Sequence, residues 1–189
     1  MKSIESILGS SIAAKQKEVA LVSLIEGESG QLAALVERFP SVSKSDQGTV
    51  MAALESFSRQ RPDLVLLHAD FVVGHVEDSQ PRVRWEASRV VGNLAGANVP
   101  VLQSAVPALL RNARNEGTVV RWSAAFALTQ LALGDVVLGQ ELLPRLAELA
   151  RRETGDGIRK MYEKALKRLV PAPTAARRPR KAPLRRAPS

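Results

Sequence analysis

Val83-Arg84-Trp85-Glu86-Ala87-Ser88-Arg89-Val90-Val91-Gly92-Asn93-Leu94-Ala95 returns 37 residues later as Val120-Arg121-Trp122-Ser123-Ala124-Ala125-Phe126-Ala127-Leu128-Thr129-Gln130-Leu131-Ala132. Val, Arg, Trp, Ala, Leu and Ala keep their places. A fixed period of this size signals stacked structural repeats. The register extends outward. Pro107 to Arg114 is matched at the same offset by Pro144 to Arg151. Downstream, Ile158, Arg159, Ala165, Leu166 and Leu169 match Val120, Arg121, Ala127, Leu128 and Leu131 at an offset of 38, with one extra residue in the turn around 154–157. Upstream, Ala53, Leu54 and Phe57 stand 37 before Val90, Val91 and Leu94, and Gln47 and Gly48 occupy the places of Arg and Trp.

On a helix turning about 100° per residue, Val83, Ala87, Val90, Val91 and Leu94 share one side. Trp85, Glu86, Arg89 and Asn93 fall on the other. The corresponding outer stripe is Trp122, Ser123, Phe126 and Gln130 in the second copy, and Lys160, Met161, Lys164 and Arg168 in the third. Arg84, Arg121 and Arg159 lie at the border. One helix pair cannot bury its apolar side alone, but stacked pairs can. Elsewhere the periodicity predicts helices over Ile12–Ile25, about 32–39 and about 50–59. It predicts one continuous buried helix from Leu64 to Val76, opened by Pro62. A helix over Val99–Arg114 is expected to kink at Pro107, and another runs from about Val137 to Arg152 with Pro144 inside it. The expected fold is all-α: a right-handed α-solenoid of about five antiparallel helix pairs over residues 1–170, followed by a disordered basic tail over 171–189.

Composition fits this reading. Apolar residues make up 45% of the 189 but aromatics only 4%, so Ala, Leu and Val must build the core through close helix packing. Net charge is +8. Arg177, Arg178, Arg180, Lys181, Arg185 and Arg186 stand in 171–189 without an acid, which leaves 21 basic and 19 acidic side chains before them. The excess charge is therefore a property of the tail. The chain has no cysteine, which excludes disulfide frameworks and fits the reducing cytoplasm. The N-terminus lacks a secretory pattern, and no apolar run is long enough to span a membrane.

The pattern Val-Arg-x-x-Ala-Ala-x-Ala-Leu-x-x-Leu resembles the second helix of HEAT repeats, particularly the short type of the phycobilisome-lyase-like branch, most clearly over 81–132. The resemblance implies a ladder in which the Arg after Val meets an acid in the preceding turn. Asp78 and Glu153 stand six residues before Arg84 and Arg159, whereas Asn115 stands before Arg121. The three arginines are expected to be structural, bridging turns of adjacent repeats, with Arg121, the one lacking an acid, alternatively open to a ligand. The resemblance also implies that the stripe beginning with Trp85 and Trp122 lines a concave, partner-facing surface. Exposed Trp and Arg commonly act as binding hot spots, although each Trp could instead cover the adjacent helix.

No catalytic constellation emerges. His68 and His75 are seven apart, not at the four-residue spacing of a helical metal pair. Gly27-Glu28-Ser29-Gly30 has no Lys to make it a phosphate loop, and no Ser lies in a nucleophile elbow. The expectation is a non-enzymatic scaffold, with no cofactor or metal, holding a protein partner through Trp85, Glu86, Arg89, Asn93, Trp122, Ser123, Phe126, Gln130, Lys160, Lys164 and Arg168. The alternative is nucleic-acid binding through the same face and the basic tail. The architecture is similar to that of HEAT-like DNA glycosylases, but the stripe here offers Glu86 and no Asp. Likeness to phycobilin lyases implies a third possibility, chemistry on a tetrapyrrole, for which no pocket is specified.

Overall fold

Helix follows helix with no strand among the described residues, which in this computed structural model are 3–28, 30–97 and 99–170. The helices are α1 (Ile4–Leu8), α2 (Ala14–Gly27), α3 (Gln31–Arg38), α4 (Lys44–Ser58), α5 (Pro62–Leu66), α6 (Ala69–Gly74), α7 (Pro81–Leu94), α8 (Pro100–Gln103), α9 (Val106–Asn112), α10 (Thr118–Gly134), α11 (Val136–Arg152) and α12 (Asp156–Leu169). Helices α2, α4, α7, α10 and α12 pack side by side in that order as an inner row. Helices α3, α5 with α6, α8 with α9, and α11 connect successive members of that row. Five stacked units result, forming an α-solenoid. The basic residues Arg177, Arg178, Arg180, Lys181, Arg185 and Arg186, and the disorder expected around them, fall in 171–189, outside the described residues.

Two expectations for the outer helices need correction. The run Leu64–Val76 is not one helix. It breaks at Leu67 and His68 into α5 and α6, and Leu67 projects into solvent at 78% exposure. The apolar run concealed a side chain that does not belong to the core. Similarly, Val99–Arg114 is more than kinked. It is interrupted at Ser104 and Ala105, and Pro107 then occupies the first turn of α9, where its missing N–H is of no consequence. Pro144, by contrast, is accommodated within an unbroken α11.

The core is continuous from Ile4 to Tyr162. In α10, Ala124, Ala125, Ala127 and Leu128 are completely buried, and the three alanines let neighbouring helices approach closely. At Gly139 of α11 an added Cβ would lie 2.4 Å from the Ala132 carbonyl oxygen, so the α10–α11 contact requires glycine. His75 belongs to packing. Its ring meets Phe39 at 4.6 Å and Phe71 at 4.5 Å between centroids, while its Nδ1 is 2.7 Å from the Phe71 carbonyl oxygen. His68 and His75 form no metal-ligating group with neighbouring acids among the described residues.

Tyr162 is 1% exposed, and its hydroxyl has no hydrogen-bond partner among the described residues. Burial, and then the charge of Glu153, push its phenol pKa upward. A buried hydroxyl without a partner carries a desolvation cost of about 1–3 kcal/mol. Tyr162→Phe is therefore expected to be at least as stable as the parent chain in urea unfolding. A lower midpoint would show that the hydroxyl is satisfied in solution.

Candidate binding face

Helices α4, α7 and α10 each pack against an inner neighbour on both flanks, so the arc they leave to solvent is narrower than that of a single amphipathic helix. In α7 the accessible stripe is Trp85, Arg89 and Asn93, all half-buried. In α10 it is Trp122, Phe126 and Gln130, and in α12 it is Lys160, Lys164 and Arg168. Two residues expected in the stripe fall outside it. Ser123 is completely buried, with its hydroxyl donating to the Val119 carbonyl at 2.7 Å. Glu86 is also buried, turned into the flank of α7. Neither presents a contact surface.

One contact recurs with the repeat. In α10 the Phe126 ring lies on Gly92 of α7, so closely that a Cβ at Gly92 would stand 2.5 Å from a ring carbon. Thirty-seven residues upstream of each partner, Arg89 of α7 meets Glu55 of α4 at 2.7 Å. The row beneath comprises Glu18, Glu55, Gly92 and Thr129, each 37 from the next. The flanking position behaves alike. Asn93 donates to Glu55 Oε1 at 3.3 Å, and one period earlier Ser56 donates to Glu18 Oε1 at 2.8 Å. The same seat thus holds an ion pair between α7 and α4 and aromatic packing between α10 and α7.

The two tryptophans differ in setting. Trp122 is 40% exposed and stacks on Phe126 within its own helix, with centroids 5.8 Å apart and planes 8° from parallel. Phe126 in turn rests on Gly92, so the outer ring is held by two layers beneath it. Trp85 sits one repeat away, beside a charged network. Arg89 bridges Glu55 and Glu86, the latter at 2.9 Å. Arg59 adds a contact to Glu55 at 3.1 Å, and Asn93 reaches the Ser58 hydroxyl at 2.8 Å. Arg89 is consequently committed within the protein. Glu55, Ser58 and Arg59 are the network members that sequence patterning missed, because the upstream copy lacks the Val-Arg-Trp signature.

Burial is the largest cause of a raised Glu86 pKa. Hydrogen bonding from Trp85 and the charge of Arg89 oppose it, Glu55 adds to it, and Arg82 opposes it. A carboxyl raised on folding binds its proton more tightly in the folded state. Its stabilising contribution is complete below the ordinary value of 4.5 and is lost as pH rises through the raised value. Glu86→Gln is therefore expected to become more favourable, relative to the parent, between pH 4 and pH 7 in paired melting curves. A variant that instead loses ground with rising pH would contradict the assignment.

The border arginines reverse one expectation. Arg121 is the most thoroughly tied. Its Nε is 3.1 Å and its Nη2 3.3 Å from the two Glu153 oxygens, and Nη1 donates to the Asn115 and Glu116 carbonyls. The acid comes from the following unit rather than from the preceding turn. Arg84 finds the Asp78 carbonyl oxygen, not its carboxylate, at 2.9 Å. Arg159 pairs within α12 with Asp156. None of the three forms the continuous ladder implied by the resemblance.

Residues 81–131 match the family described as HEAT-like repeat. No curated protein sequence matches the chain. Among solved structures, a designed armadillo repeat protein in complex with the peptide (KR)4 is similar at a TM-score of 0.68 and 18% identity, over 88% of this chain and 80% of that one. The complex of CpcE and CpcF of phycocyanin lyase from Nostoc sp. PCC7120 gives 0.61 and 20%, over 86% and 96%. Kap121p gives 0.62 and 17%, over 87% of this chain but 19% of its own. At these identities the likeness concerns the fold: an armadillo/HEAT-type repeat solenoid. No helix among the described residues is long and apolar enough to cross a membrane.

Proposed function

We propose that this HEAT-like repeat solenoid is a non-enzymatic scaffold that binds a protein partner on the face of its inner row. The observation that carries the reading is Trp122, exposed yet stacked on Phe126, which is itself seated on Gly92. An aromatic side chain fixed before binding loses little conformational freedom when a partner covers it, and it supplies a large contact area. Trp85 and Asn93 extend the surface along α7, Gln130 along α10, and Lys160, Lys164 and Arg168 along α12. Arg89 serves chiefly to hold α7 on α4. The designed armadillo protein with its bound peptide shows the kind of ligand a solenoid of this architecture can hold.

Trp122→Ala removes the anchor without opening the core. In affinity capture from the organism that encodes the chain, the parent protein is expected to retain a partner that the variant loses, while helical circular dichroism is unchanged. Identical captured proteins with an intact fold would overturn the proposal.

A further inference from the structure

Helix α12 continues the same face but inverts its electrostatics. Upstream, the cations beside the seat row are paired with acids: Lys15 with Glu18, Arg59 and Arg89 with Glu55, and Arg89 with Glu86. In α12 that compensation ends. By sequence register the position matching Arg89 and Phe126 is Lys164, and the position matching Glu55 and Gly92 is Thr129, which has no charge. Lys160, Lys164, Lys167 and Arg168 are all exposed, and none takes part in any ion pair among the described residues. The acids of α12, Asp156 and Glu163, both face Arg159. At helical spacing the four cations fall within an arc of about 100°, so they form one stripe. That stripe lies on the helix packed against α10, which carries Trp122 and Phe126.

We infer that the partner is an acidic peptide segment carrying an apolar or aromatic side chain, laid across α10 and α12 with its carboxylates on the Lys160–Arg168 stripe and its apolar group on Trp122. This inference rests on the inner-row face being the binding surface. Charge complementarity selects the occupant. Four uncompensated cations at one end of the face suit a short acidic run. A nucleic-acid backbone typically engages about 6–10 phosphates, and beyond α12 the arginine next along this face, Arg89, is already paired with Glu55 and Glu86. The aromatic pair beside the stripe supplies the apolar contact that a purely electrostatic site lacks, and unpaired rim charges of one sign accelerate encounter with their opposite.

The test is a tryptophan-emission titration of the full chain with three probes: a decapeptide of four Glu, Leu-Phe and four Glu; its Glu→Gln counterpart; and a ten-nucleotide oligothymidylate. Trp85 and Trp122 are the only tryptophans, so the signal reports on the face itself. The acidic peptide is expected to bind at least roughly tenfold more tightly than the Gln peptide. A Lys160→Ser, Lys164→Ser, Arg168→Ser variant should lose that preference while keeping the parent fold, and added salt should weaken binding. Equal binding of both peptides, with the triple variant unaffected, would overturn the acidic preference while leaving the aromatic face as the binding surface. Oligothymidylate binding more tightly than the acidic peptide would overturn the peptide assignment, and no response to the acidic peptide would overturn the inference outright. Whether the face binds a partner at all is decided separately by the Trp122→Ala capture.

Discussion

Replacing Arg121 with methionine is expected to destabilise the chain by about 3 kcal/mol, because it leaves the buried Glu153 carboxylate without its counter-charge. Glu153 is only 4% exposed in its side chain, and after the change it retains the Gly155 N–H at 2.8 Å as a hydrogen-bond donor. For a domain of this size the loss corresponds to a fall in Tm of roughly 6–12 °C. The direction with pH is also fixed. Burial alone would raise the Glu153 pKa, but Arg121 hydrogen bonding, the Gly155 N–H, the Arg121 charge and the Thr154 N–H together hold it below the ordinary 4.5. A carboxyl lowered on folding stabilises the native state above its unfolded value, and that stability is lost as pH falls through the folded value. The gap between parent and Arg121→Met is therefore widest near neutrality and narrows below about pH 4.5. Repeat proteins lose stability locally. Hydrogen exchange is accordingly expected to show the loss first in α10–α12, with α4 and α7 retaining protection. An equally stable variant, or uniform loss along the row, would contradict the role given to this pair.

Gly92→Leu is expected to have the second large effect, and it reaches the binding face. The new side chain would enter the space of the Phe126 ring and lie near the Ala127 backbone, where even a Cβ falls at 3.2 Å from Cα. Overpacking of this kind costs typically about 1–3 kcal/mol, and the backbone contact places Gly92→Leu at the upper end. Displacing Phe126 also removes the support beneath Trp122. The expected signature is a Tm lowered by several degrees together with red-shifted tryptophan emission and lost partner capture. Phe126→Ala in the Gly92→Leu background should restore part of the stability without restoring capture. Recovery of both would mean that the stacked pair is not the anchor.

The 37-residue offset made the solenoid legible because helix packing repeats whatever the local chemistry. It also located the stripe of Trp85, Trp122, Phe126, Lys160 and Lys164 that remains open to solvent. What it could not convey was flanking contact. Ser123 and Glu86 lie on the outer side of a single-helix projection, yet the neighbouring inner helices cover them. The seat row Glu18, Glu55, Gly92 and Thr129 leaves no repeat signature in the sequence, because its members share spacing but no chemistry. Arg121 reads as free in the sequence because its acid, Glu153, stands 32 residues downstream and not in the preceding turn. Leu64–Val76 read as one helix because hydropathy registers that Leu67 is apolar and not that it projects outward. Each discrepancy arises where a property of neighbours, rather than of the segment itself, decides the outcome.

The measurement closest to the central claim is site-specific photo-crosslinking in extracts of the encoding organism. A photoreactive benzoylphenylalanine replaces Trp122 in one preparation and Leu67, exposed at 78% on the outer side of the solenoid, in another. Covalent protein adducts are predicted from position 122, resistant to nuclease and competed by the acidic decapeptide, with none from position 67. Adducts formed equally from position 67, or nuclease-sensitive adducts at position 122, would contradict a protein-binding face centred on the stacked Trp122–Phe126 pair.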